Sequence, residues 1–233
     1  MHVHTNYSDS TGTVEEVVES ARSKGLDGIA ITDHDTLEGA EIAKRVQDDL
    51  MIIPGEEVKT DRGEIIALGT NDLIPRELTI EEAIQRVHLQ HALVFLPHPT
   101  VPLFGELRES EIRNLPIDGL EAFSAIWPLA NYYALKNIAM AEKLGLPMIA
   151  GSDSHSPETV GDAYTIVEAE DRSVSSILQA IKLRRTKVYC RSSRLKFKIR
   201  MLNHTISALF QEEYGVKLLR WMILRRIRGD RHI

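Results

Sequence analysis

Short, almost uniformly apolar runs alternate along the chain with longer stretches whose apolar positions recur every three or four residues. The first pattern is that of buried strands and the second that of amphipathic helices. "DGIAITD", "MIIPGEEV", "GEIIALG", "LVFLPHP", "DGLEAFS", "MIAGSDSH" and "AYTIVEA" read as strands. The helical stretches are "VEEVVESARSK", the segment after Thr36, "TIEEAIQRVHLQHA", "NYYALKNIAMAEKLG" and "SVSSILQAIKLR". Thr13 with Glu16 three residues on forms a capping box at the start of the first helix, and Gly25 supplies its stop. Repeated strand–helix alternation predicts an α/β fold with a parallel sheet, open or closed into a barrel.

The end of the chain breaks this pattern. Residues 193–200, "SRLKFKIR", alternate basic and apolar positions like a strand with one charged face, and "VKLLRWMILRRIR" predicts a basic amphipathic helix. Charge divides the chain in the same region. Residues 1–181 carry 13 Lys/Arg against 31 Asp/Glu, net −18, whereas residues 182–233 carry 15 against 3, net +12. The expected organisation is an acidic domain, 1–181, followed by a basic, partly helical C-terminal extension, 182–233. Such an extension packs on the acidic body or contacts nucleic acid or an anionic lipid surface.

With 233 residues, 43% of them apolar, the chain can bury a sizeable core. No apolar run approaches the roughly 18 residues of a membrane span, and the start is too polar for a secretory signal, so a cytoplasmic location is expected. Cys190 is the only cysteine. That excludes an internal disulfide and a thiolate cage, and leaves histidine and carboxylate for any metal.

Several polar residues stand where strands end. His2 and His4 are two apart, as are Asp153 and His155, and residues i and i+2 of an extended segment share a face. His34 follows "IAIT" closely, Glu56 and Glu57 follow "MIIPG", and His98 ends "LVFLP". In parallel barrels, catalytic groups gather at the C-terminal strand ends. Five separate segments therefore direct histidine or carboxylate toward what can be a single rim.

Taken in order, "HVHTNYSDS", "ITDHDTLEG", "IPGEEV", "PHP" and "GSDSH" resemble the PHP (polymerase and histidinol phosphatase) family over roughly residues 1–170. The resemblance implies a distorted seven-stranded β/α barrel whose rim binds up to three divalent metals and hydrolyses phosphate esters. A body shorter than the roughly 250 residues of an eight-stranded barrel agrees with that strand number. Carried over, the pattern makes His2, His4, Asp9, His34, Glu57, His98, Asp153 and His155 metal ligands. Between Glu56 and Glu57, the family's PGxE selects the second. The family often has a histidine where this chain has Glu64, and a carboxylate there still suits zinc, manganese or iron. Ahead of the paired histidines the family usually has several residues of a first strand, whereas here only Met1 precedes His2, which implies an abbreviated strand or an upstream start.

The implied chemistry follows from charge. Three divalent ions against Asp9, Glu57, Glu64 and Asp153 leave a positive site that favours phosphate. Clustered metals lower the pKa of bound water, so the nucleophile is metal-bound hydroxide, with His34 or His98 protonating the leaving alkoxide. The expected substrate is a small phosphorylated metabolite, a nucleotide or a short oligonucleotide. Phe104, Trp127, Tyr132 and Tyr133 are candidates for stacking on it, and Arg108 and Lys136 for holding phosphate. The alternative is a nucleic-acid-binding scaffold subunit resembling the barrel protein of ribonuclease P. The sequence leaves the oligomeric state open.

Overall fold

A computed structural model describes residues 1–46, 49–102 and 107–199. Two compact units are distinguished, Met1–Ser193 and Arg194–Ile233. The first unit therefore includes residues beyond the charge boundary at 181, because β8 (Thr186–Tyr189) pairs with β7 (Tyr164–Val167) in a two-stranded antiparallel sheet. Of the second unit, residues 195–199 are helical rather than extended. The amides of Phe197 and Lys198 reach back to the Arg194 carbonyl, and among the described residues no strand lies beside this segment to receive the ladder bonds that a strand needs. The basic stretch further on, and Phe104, lie outside the described residues.

The main sheet has six strands in sequence order: β1 (Gly28–Ile31), β2 (Met51–Thr60), β3 (Gly63–Leu68), β4 (Leu93–Leu96), β5 (Gly119–Ser124) and β6 (Met148–Gly151). The expectation of an all-parallel sheet is corrected at β3, which runs antiparallel to both neighbours. The reason is covalent. Only Asp61 and Arg62 join β2 to β3, and a link that short can only fold back as a hairpin. Among the described residues this sheet has six full strands, not the expected seven. In place of the seventh, residues 2–4 lie between the two sheet edges: Val3 bridges Ser154 after β6, and the Thr32 amide after β1 donates to the Val3 carbonyl.

Strand alternation sorts the side chains. Ile53, Ile66, Leu68, Phe95 and Ile149 fill the concave face together with Leu178 and Ile181 of α6 (Val174–Lys182). Ile29, Ile31 and Ile52 pack outward on α1 (Val14–Ser23) and α2 (Glu38–Val46). Ile65, Ala67, Val94 and Leu96 pack outward on α3 (Ile80–Leu89). The short α4 (Glu109–Ile112) and the longer α5 (Ala130–Leu144) flank β5 in the chain. Thr13 and Thr79 close capping boxes with Glu16 and Glu82, satisfying amides that a bare helix start would leave open. Gly145, at φ +67°, ends α5 in the left-handed region.

Candidate metal centre

The inward parity of the strands carries polar residues onto the rim. On β2 the row Ile53, Gly55, Glu57 runs up the concave face, and on β3 the row Leu68, Ile66, Glu64 does the same. Glu57 pairs with Ile66, and Glu64 with Lys59, which makes the two carboxylates diagonal neighbours on one face. Glu56 points the opposite way. It is buried against the loop after β3, where one carboxylate oxygen accepts the Ile74 amide and the other, Oε1, has no hydrogen-bond partner.

All nine sequence-predicted residues meet in one place. His2 Nε2 lies 3.0 Å from Glu57 Oε2 and 3.1 Å from His4 Nε2, and His4 Nε2 is 3.4 Å from Asp153 Oδ1. Asp9 Oδ2 is 3.2 Å from His155 Nε2 and 3.7 Å from His34 Nε2. His98 Nε2 lies 3.7 Å from Glu57 Oε1. Three donor groups result: His4, Asp9, His34 and His155; His2, His4 and Glu57; and Glu57, Glu64 and His98. They overlap at His4 and Glu57. Asp153 joins them through the nitrogens of His2 and His4. His2 and His4 are fully buried, whereas His34 and Asp9 keep 31% and 28% of their side-chain surface exposed, so the centre opens on the His34–Asp9 side.

The electrostatics of the bare cluster are costly. Burial alone would lower His4, yet its hydrogen bonds to Asp153 and Glu57 and the charge of Asp9 push it up to about 10. His2 and His98 are raised in the same way, with burial opposing the nearby carboxylates. Burial would raise Asp9, Glu57 and Asp153, but the surrounding histidines hold all three well below the usual carboxylate range. Glu64 moves the other way, raised by burial and then by the charge of Glu57. The carboxylates thus favour positive charge at these imidazoles, the role a bound cation would fill. Two imidazole nitrogens facing each other at 3.1 Å, with buried Glu57 Oε1 and His4 Nδ1 lacking hydrogen-bond partners, make a set that divalent first-row ions fit.

The backbone is strained at the same rim. Asp35 (φ +52°), His98 (φ +28°) and Asp153 (φ +50°) occupy the left-handed region.

Residues that the motifs alone do not reveal support the donors. Asp33 accepts the Thr5 amide and hydroxyl, both at 2.6 Å, and the Ser8 hydroxyl at 2.7 Å, which holds the loop between His4 and Asp9. Ser124 donates to Asp153 Oδ2. Glu121 on β5 contacts His2 Nδ1 at 3.0 Å and accepts the His98 amide at 2.9 Å. Glu121 sits within an apolar run and Asp33 at the end of one, and a charge in those places is the signal that points to them. Of the expected substrate contacts, Trp127 is buried edge-on against His98. Arg108 pairs with Glu111 at the start of α4, and Lys136 lies over the Tyr132 ring on α5. Neither cation is shown to face the cluster.

Comparison with known proteins agrees with this geometry. A family model of the PHP domain matches residues 1–94, and one described as PHP-associated matches residues 132–186. An uncharacterised protein of Methanocaldococcus jannaschii is 31% identical over 201 residues, covering 79% of this chain and 78% of the relative. A phosphoribosyl 1,2-cyclic phosphate 1,2-diphosphodiesterase of Eggerthella lenta is 34% identical over 83 residues, 32% of each chain. Among solved structures, a two-domain Bacteroides vulgatus protein described as containing a predicted PHP-like metal-dependent phosphoesterase superposes with a TM-score of 0.70 at 22% identity. That match covers 82% of this chain and 63% of the other. Among the described residues no helix is long and apolar enough to cross a membrane.

Proposed function

The chain belongs to the PHP family, and from that premise we propose that it is a metal-dependent phosphoesterase acting on a small phosphorylated metabolite or nucleotide. The observation that carries the reading is the overlap of three donor groups at His4 and Glu57, which lets two or three ions share ligands within one site. His2, His4, Asp9, His34, Glu57, Glu64, His98, Asp153 and His155 would hold divalent zinc, manganese or iron. Ions bound there supply water activation and charge neutralisation of the phosphoryl oxygens.

The chain's own residues do the rest. His34, if not fully engaged as a ligand, would pass a proton to the leaving oxygen from the open side, a role that buried His98 reaches less readily. Arg76 is the cation for a phosphate oxygen. Its Nε is 2.9 Å from Oδ2 of Asp35, next in sequence to His34, and its side chain remains 67% exposed. The Eggerthella relative, named for a cyclic phosphodiester, favours a sugar-phosphate or nucleotide scale of substrate.

A scaffold that only binds nucleic acid is the weaker reading, because it has no use for so many buried ionisable groups at a cost of several kcal/mol each (roughly). The test is metal analysis of the purified protein together with release of inorganic phosphate from a panel of mono- and diesters. Metal-dependent release is expected, with Asp153→Asn and His155→Ala losing about a hundredfold or more while circular dichroism is unchanged. Wild-type turnover in both variants, or no hydrolysis of any ester by metal-loaded protein, overturns the proposal.

A further inference from the structure

We propose that Glu121 is the positioning residue of the metal centre, selecting which nitrogen of His2 faces the ions and tying His2 to the His98 segment. The inference rests on the metal reading above. Glu121 is fully buried, and both of its carboxylate oxygens are committed. Oε1 lies 3.0 Å from His2 Nδ1, and Oε2 accepts the His98 amide at 2.9 Å. A carboxylate opposite Nδ1 requires the proton on that nitrogen, so in the neutral imidazole that a metal binds, the Nε2 lone pair is the one directed at Glu57, His4 and Asp153. A donor there would instead turn the lone pair away from the cluster.

The second oxygen does a different job. His98 sits at φ +28°, and its amide bond to Glu121 is one of the contacts that fix this conformation. The carboxylate is itself held from behind. The β5–β6 pairing shifts register between Glu121 and Phe123, and Asn137 of α5 donates from Nδ2 to the carbonyl of Glu121 there. Thr100, two residues past His98, donates to Asn137 Oδ1 at 2.6 Å. One chain of hydrogen bonds therefore runs from His2 through Glu121 to the His98 segment, and from that segment back to β5. Gly151 leaves the space for it, since a Cβ there would lie 2.4 Å from His2 Cβ and 2.7 Å from Glu121 Oε1.

Glutamine at 121 keeps the shape but can accept only one of the two donors with its single carbonyl oxygen, and its NH₂ faces the other. The experiment is titration of full-length, metal-stripped wild-type protein, Glu121→Gln and Glu121→Asp with Co²⁺, following absorption and competing with a chelator. Thermal melting of each metal-free protein runs in parallel. Expected is a 10- to 100-fold weaker Co²⁺ affinity and an altered ligand-field spectrum in Glu121→Gln, with the metal-free melting temperature preserved. Glu121→Asp, which keeps the charge, retains more affinity than Glu121→Gln and also serves if the amide variant does not fold. In a His2→Ala background, Glu121→Gln loses most of its effect, because the carboxylate acts through that imidazole. Unchanged affinity and spectrum in both variants overturns the proposal, as does a full effect without His2. Wild-type protein that binds no Co²⁺ overturns the metal reading itself.

Discussion

Two adjacent carboxylates on β2 show how one strand position separates two kinds of chemistry. Glu57 faces the cluster and is held ionised by histidines, whereas Glu56 faces the other side and is pushed from 4.5 to about 7. Burial is the main cause; the Ile74 amide opposes it, and the charge of Asp35 adds to it. An unfolded glutamate has lost its proton by about pH 5, while the folded one still holds it. The resulting stabilisation is fully present below the unfolded value and is lost as pH rises through about 7. Glu56→Gln keeps an acceptor for Ile74 and has no charge to bury. Its unfolding free energy at pH 8 should exceed that of wild type by about 1–2 kcal/mol, with the advantage vanishing near pH 5 in melts across that range. Glu64 makes the complementary case, a half-buried carboxylate whose proton is favoured by burial and the charge of Glu57 and opposed by the charges of His34 and His98. Glu64→His should keep metal and part of the activity, and Glu64→Ala should lose about tenfold more in phosphate-release rates. The position of both glutamates could be anticipated from strand parity and the PGxE pattern. Asp33 and Glu121 were harder, because a charge at or in an apolar run marks a residue as unusual but does not say what it supports until its partners, far away in sequence, are known.

Among elements, the strands were the more legible part. Their seven apolar runs coincide with the observed β1 to β7, and the capping box at Thr13 with the start of α1, whereas β8, with its basic and half-exposed residues, was not among them. Direction was not carried by strand–helix alternation, which points to parallel pairing everywhere; the two-residue Asp61–Arg62 link decides otherwise at β3. The segment at 195–199 failed for a related reason, since alternation marks a strand only where a partner strand exists. Close approach between elements is equally invisible in a linear pattern. Gly151 ends β6 as an ordinary glycine, yet any Cβ added there would run into the Cβ of His2 and the Glu121 carboxylate. Gly151→Ala should destabilise the protein by about 1–3 kcal/mol through overpacking and weaken Co²⁺ binding more than its effect on the melt accounts for. Calorimetric melting and chelator competition on the same preparation measure both.

For the molecule as a whole, the location of residues 2–4 between β1 and β6 has a consequence in time. His2 and Ser152, in contact through the Ser152 hydroxyl, are 150 residues apart in sequence. A ribosome making this chain emits the paired histidines 150 residues before the segment that receives them, so the donor set stays incomplete until that segment has been made. Contacts of such long range form late, after the loop entropy between them has been overcome. An ion therefore finds its full set of ligands only in a chain that has already folded, and it acts afterwards as a latch. In stopped-flow experiments, saturating Zn²⁺ or Co²⁺ should leave the refolding rate within about twofold and slow unfolding by more than about tenfold. Faster refolding with metal would mean that the ion gathers His2 and His4 before β6 arrives, making it a nucleus for the barrel and not its latch.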